Sequence, residues 1–204
     1  MGRYAVLIDA GFLKRKLASR ESPLSAASVG AFVRQLGDLP ALRGSRLHRV
    51  YFYDAPPLRS TERKPLSGGS VSFSNTSLAR NNQRLHRELR DVPFVALRMG
   101  ELRFRGWALS GRRMPPDAAE LTVTSEDLLP NVQQKGVDMR VGLDIASLTL
   151  KRQVEIIVLV TGDSDFIPAM KFARREGAQL FLVALGHNVL DEMREHADLM
   201  LDLD

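Results

Sequence analysis

Four aspartates stand where a carboxylate can do metal-assisted chemistry: Asp9, Asp54, Asp138 and Asp163. Asp9 closes the apolar run Arg3-Tyr-Ala-Val-Leu-Ile, and Asp54 closes Leu47-His-Arg-Val-Tyr-Phe-Tyr. Asp163 follows directly on Val154–Thr161, and Asp138 opens an amphipathic stretch. Beyond the carboxyl ends of parallel strands is where ligands bind in open α/β sheets. Carboxylates brought there from separate segments repel one another unless a cation neutralises them. Oxygen-only clusters suit Mg²⁺ or Mn²⁺. Such an ion activates a bound water and steadies charge on a phosphoryl group, so the chemistry expected is phosphodiester hydrolysis without a side-chain nucleophile.

Each acid also has a structural use. Asp9, before Ala10-Gly11, can open a turn, and Asp54, before Ala-Pro-Pro, is a natural turn acid. Asp138 suits a helix N-terminus, where the helix dipole favours negative charge. In Thr161-Gly-Asp-Ser-Asp-Phe166, a cap by Asp165 puts Pro168 in the first helical turn, where no intrahelical donor is missed. That leaves Asp163 to face the cleft. Asp144 is expected to pair on the surface with Arg140, four residues away.

Other chemistries lack their residues. There is no cysteine, which removes disulfides, zinc–thiolate sites and thiol nucleophiles. His48, His86, His187 and His196 have no metal-ligand spacing. Neither a serine elbow nor a Gly-rich phosphate loop is present, and Gly11 stands where an aspartyl phosphatase carries its second acid.

Charge is unevenly spread along a chain of net +5. Between Arg80 and Arg113, nine arginines (80, 84, 87, 90, 98, 103, 105, 112 and 113) face three acids, whereas residues 191–204 hold six acids and one arginine. A basic middle implies a polyanionic partner, with Arg80, Arg84, Arg87, Arg103 and Arg105 the expected contacts. Phe94, Phe104 and Trp107 add stacking surface unless they belong to the core. A homodimer is the expected assembly, with the acidic tail available to a neighbour's basic face.

The positioning elements follow from periodicity. Strands are expected at 3–9, 47–54, 92–97, 154–161 and 179–185, with short ones at 121–124 and 199–203. Helices are expected at 28–36 with Ser28 as cap, at 76–90 with Leu78, Leu85 and Leu89 inward, at 137–150, at 166–175 stopped by Gly177, and at 189–194. Residues 56–75 read as a loop-rich insertion and 98–118 as an irregular basic segment with a hairpin at Gly106 or Gly111. Alternating strands and helices imply one doubly wound α/β domain over 1–204, a mainly parallel sheet with helices on both faces. With 44% hydrophobic residues, no apolar run of membrane-spanning length and no signal peptide, a cytoplasmic protein is expected.

Ile8-Asp-Ala-Gly11, Tyr51-Phe-Tyr-Asp54, Gln134-Lys-Gly-Val-Asp138 and Thr161-Gly-Asp-Ser-Asp-Phe166, in this order, resemble the NYN branch of the PIN-like nucleases, in the bacterial group related to LabA. The resemblance implies a PIN-like fold, a ribonuclease role and metal-site acids at Asp9, Asp138 and Asp163, with Asp54 and Asp165 supporting. Lys135 falls where a phosphate-facing lysine is reasonable. Phe12 departs from the pattern, because many members carry an asparagine there. The expected function is a Mg²⁺- or Mn²⁺-dependent endoribonuclease acting on single-stranded RNA through a metal-bound water. The alternative is a catalytically silent RNA-binding or assembly module of the same fold.

Overall fold

The computed structural model describes residues 2–66, 69–110 and 120–203. Strand β1 (Arg3–Asp9) runs without a break into helix α1 (Ala10–Leu17). Helix α2 (Ala26–Asp38) and strand β2 (Arg46–Asp54) follow. The cap of α2 is Ser25 rather than Ser28: each serine hydroxyl accepts from the other's backbone amide, so Ser28 closes a reciprocal capping box from inside the helix.

The expected loop at 56–75 contains a small antiparallel hairpin, β3 (Thr61–Arg63) with β4 (Ser70–Ser72). Helix α3 (Ser77–Leu89) is capped by Thr76 and turns Ala79, Leu85, His86 and Leu89 inward, but Leu78 is 68% exposed. Strand β5 (Val95–Met99) begins later than the apolar pattern indicated, after Phe94 takes a left-handed turn at φ 66°. The stretch expected to be irregular forms β6 (Glu101–Leu109), paired antiparallel with β7 (Leu128–Lys135). Gly106, at φ +97°, sits in the register break of β6 instead of at a hairpin tip; the alternative tip, Gly111, lies outside the described residues. No strand forms at 121–124, where Thr124 instead caps a single 3₁₀ turn over Ser125–Asp127.

The C-terminal half alternates as read: α4 (Val137–Leu150), β8 (Ile156–Val160), α5 (Ile167–Arg175), β9 (Gln179–Val183), α6 (Asp191–Glu195) and β10 (Leu199–Met200). Gly177 ends α5 at φ +89°, a conformation its missing Cβ makes free of strain.

The main sheet is parallel throughout, in the order β10-β9-β8-β1-β2-β5. Alternate side chains of β1 serve opposite cores. Tyr4, Val6 and Ile8 meet α1, α2 and α3 on one face, while Ala5 and Leu7 meet α4, α5 and α6 on the other. A strand covered on both sides has no polar face, which is why β1 and β8 read as continuous apolar runs. This is the doubly wound α/β arrangement. The chain leaves β1 toward β2 and β5 and returns to β1's other side with β8, so the switch point falls between Asp9 and the Thr161–Asp163 turn.

Candidate metal centre at the switch point

Asp9 is the first carboxylate at this edge, and β1 and α1 meet on it. Its Oδ1 accepts the Phe12 amide at 3.1 Å, capping α1, and its Oδ2 accepts the Thr161 hydroxyl at 3.3 Å. Thr161 is fully buried, and its oxygen also accepts the Asp163 amide at 3.1 Å. One hydroxyl therefore ties the end of β1 to the end of β8. Sequence reasoning passed over Thr161, although a threonine between the strongest strand and an acidic turn was the available signal.

The turn after β8 is capped differently from expectation. Asp163 Oδ1 accepts the Asp165 amide at 3.0 Å and opens a 3₁₀ turn over Ser164–Phe166 that leads into α5. Asp165 is not the cap, because the 3₁₀ turn moves the helix start one residue on and leaves Pro168 at its second position. Both acids are exposed.

Asp138 reaches the same edge from α4. The preceding Gly136 adopts φ +73°, and Gly100 lets the chain cross closely: a Cβ at Gly100 would stand 2.6 Å from the Lys135 carbonyl oxygen. The exposed Asp138 carboxyl is pushed above the ordinary carboxylate range by partial desolvation, then by Asp163, Asp9 and Asp165. Asp9 is raised as well, by burial, against the lowering effect of the Phe12 amide, Arg15 and Thr161. Asp163, Asp9 and Asp165 thus lie near enough to Asp138 to bear on its charge.

They do not close into a cage. Among the described residues, no three carboxylates or imidazoles stand close enough to share one ion directly. An ion there would have to keep most of its waters and take one or two carboxylates, as Mg²⁺ commonly does.

Asp54 lies apart from this group. Its carboxylate is buried, and Oδ2 accepts from Lys14 Nζ at 2.5 Å and lies 2.6 Å from His86 Nε2. Burial alone would raise its pKa; the His86 hydrogen bond and Lys14 outweigh that and hold it below the usual range. The acid expected to support a metal is neutralised by protein partners and joins β2 to α1 and α3. Asp144 likewise has other partners than Arg140. It accepts from Tyr53 Oη at 2.9 Å and Arg98 Nε at 2.8 Å, while Arg140 donates to the Gly136 carbonyl. Gly142 faces open space and admits no close neighbour.

Basic residues edge the acids. An open cleft of about 460 Å³ is lined by Phe12, Arg15, Lys16, Gly162, Asp163, Ser164 and His187. Phe12, standing where an asparagine is usual, is buried with its ring edge-on to His187 at 5.8 Å. Arg15, Lys16 and His187 were not singled out from the sequence; the Lys14-Arg15-Lys16 run directly after Asp9 was the missed signal.

The expected RNA contacts are split between two elements. Arg80, Arg84 and Arg87 lie exposed on α3, and Arg103, Arg105 and Lys135 on the β6–β7 ribbon. Arg84 faces Glu88, Arg103 bonds Glu101, and Arg80 donates to the Asn75 carbonyl. Phe104 meets Phe73 and Trp107 at 5.5 and 5.6 Å, and Trp107 Nε1 donates to the Arg63 carbonyl, joining the two hairpins. Phe94 is exposed.

An acidic edge at the switch point of a doubly wound parallel sheet is the layout of a PIN-like nuclease domain. Residues 111–204 match the model of the NYN domain family, which belongs to the PIN-like nuclease superfamily. The matched stretch holds Asp138, Asp163 and Asp165, while Asp9 enters from β1, outside it. No curated protein matches the chain. Among solved structures, a protein of unknown function, VPA0982 from Vibrio parahaemolyticus, is similar over 100% of this chain and 93% of its own, at 15% identity and a TM-score of 0.52. At that identity the likeness speaks for the fold alone. Among the described residues, no helix is long and apolar enough to cross a membrane.

Proposed function

We propose that the protein is a metal-dependent endoribonuclease of the LabA-like bacterial group, cutting single-stranded RNA in the cytoplasm. The observation that carries this reading is that Asp9 and the Asp163 turn share Thr161 at the carboxyl edge of the sheet, with Asp138 raised by desolvation and then by those acids. Asp9, Asp138 and Asp163 would hold Mg²⁺ or Mn²⁺, with Asp165 supporting. Such an ion would supply an activated water and charge neutralisation on the phosphoryl oxygens.

The chain's own residues do the rest. Thr161 and the Phe12 amide fix the rotamer of Asp9. Arg15 and Lys16, on the cleft wall, attract the phosphate backbone, and the arginines of α3 and β6 extend that attraction along the strand. Phosphate contacts position a strand without reading it, so these groups confer little sequence preference. The buried Phe12 ring closes the floor of the cleft where an amide would otherwise orient a ligand.

A second reading, a silent RNA-binding module, is favoured by the openness of the acid group and by Phe12. Labelled single-stranded RNA incubated with Mn²⁺ separates the two. Internal cleavage that EDTA abolishes supports the nuclease; salt-sensitive binding without turnover in Mg²⁺ or Mn²⁺ supports the module. Light scattering on the same sample tests the expected homodimer.

A further inference from the structure

Helix α1 has an opening on each side. One is the acid cleft; the other is a cavity of about 370 Å³ between α1 and the first turns of α3. Arg15 lines both. The walls of the second cavity are apolar at Leu24, which is buried, and at Leu78, which is 68% exposed although it stands in the apolar pattern of α3. Asn81 and Asn82 line it as well. Their half-buried side-chain amides make no hydrogen bond among the described residues. Arg20 adds a second exposed cation.

Apolar walls, two unengaged amides and flanking guanidiniums suit a flat ring with a hydrogen-bonding edge carried on an anionic chain. Sequence-specific RNA recognition works in this way, on unpaired bases splayed out of the stack. An amide matches such an edge because it donates and accepts side by side.

We propose that this cavity receives one unpaired base of the RNA strand whose neighbouring phosphate reaches the acid cleft, that Asn81 and Asn82 read the base edge, and that Arg15 and Arg20 take the flanking phosphates. The cavity thereby supplies the sequence preference that the arginines of α3 and β6 do not. The proposal rests on the nuclease reading for the course of the strand, though binding itself needs no turnover.

Photo-crosslinking tests it on the wild-type protein in EDTA, with short single-stranded RNA carrying 4-thiouridine. Crosslinks mapping to residues 18–24 and 77–82 are expected. Crosslinks confined to other segments, or no RNA binding at all, overturn it. Homopolymer affinities give a second readout: a preference of about tenfold between best and worst base in wild type collapses toward equality in an Asn81→Ala/Asn82→Ala double variant. An unchanged preference overturns the proposal, as does a free nucleoside monophosphate binding as tightly as the strand, which would make the cavity a mononucleotide site. Crosslinks in the cavity without cleavage in Mn²⁺ would leave this inference standing and remove the nuclease reading; cleavage without them does the reverse.

Discussion

Thr161 Oγ1 lies 3.3 Å from Asp9 Oδ2, across the junction of the two parallel strands at which the strand order reverses. The contact joins residues 152 positions apart and holds the acid edge in register. Thr161→Val keeps the side chain's shape, removes this bond, and leaves the Asp163 amide without its acceptor. A loss of about 1–2 kcal/mol is expected, the cost of an unmet buried partner. Urea denaturation measures it, and RNA cleavage should fall more steeply than stability because Asp9 loses its fixed rotamer.

The buried Asp54–Lys14–His86 group makes the opposite kind of prediction, structural and without effect on metal binding. Lys14→Met should cost about 1–3 kcal/mol, because it leaves the buried carboxylate with His86 in place of two partners. The Asp54 pKa is lowered in the fold, so its contribution is complete above the unfolded value of about 3.9 and is lost as pH falls through the lower folded value. Asp54→Asn should therefore be less stable than wild type at neutral pH, with the gap closing below about pH 4. Thermal melts across that range check it.

Asp138 has the reverse sign. Its folded pKa is raised, so its favourable contribution is present only below the unfolded value and disappears as pH rises through the folded one. In EDTA at neutral pH, Asp138→Asn should melt slightly above wild type, by well under about 1 kcal/mol because the exposed group is screened. Mn²⁺ should then raise the wild-type melting temperature more than the variant's. A variant that melts lower in EDTA would show that Asp138 is not crowded by the other acids.

Gly162 marks how closely the cleft is built. A Cβ there would stand 2.4 Å from His187 Cδ2 and 2.7 Å from Phe12 Cε2. Gly162→Ala should destabilise by about 1–3 kcal/mol through overpacking. Adding His187→Ala should restore part of the loss, with the remainder due to Phe12; a double-mutant cycle by chemical denaturation reads the coupling.

The sequence disclosed the parallel sheet because β1, β8 and β9 are buried on both faces, so no polar alternation obscures them. Asp9, Asp138 and Asp163 could be singled out as candidates because each sits at an element boundary. The β6–β7 ribbon was hidden for the converse reason. It lies outside the sheet, mostly exposed, and its arginines alternate with Leu102, Phe104 and Trp107 too weakly to be told from a loop. Leu78 misled because periodicity assumes that a helix's apolar residues all meet the core, whereas this one lines a cavity. The fate of Asp54 was illegible, since its partners Lys14 and His86 are 40 and 32 residues away and only the fold brings them together.

The most direct test of the acid centre is Mn²⁺ binding, followed by the electron paramagnetic resonance of free Mn²⁺ during titration with wild-type protein and with Asp9→Asn, Asp138→Asn, Asp163→Asn and Asp54→Asn. Saturable wild-type binding is predicted, with each of the first three substitutions weakening it about tenfold or more and Asp54→Asn leaving it unchanged in the folded protein. Equal Mn²⁺ binding by wild type and the first three variants would contradict the account.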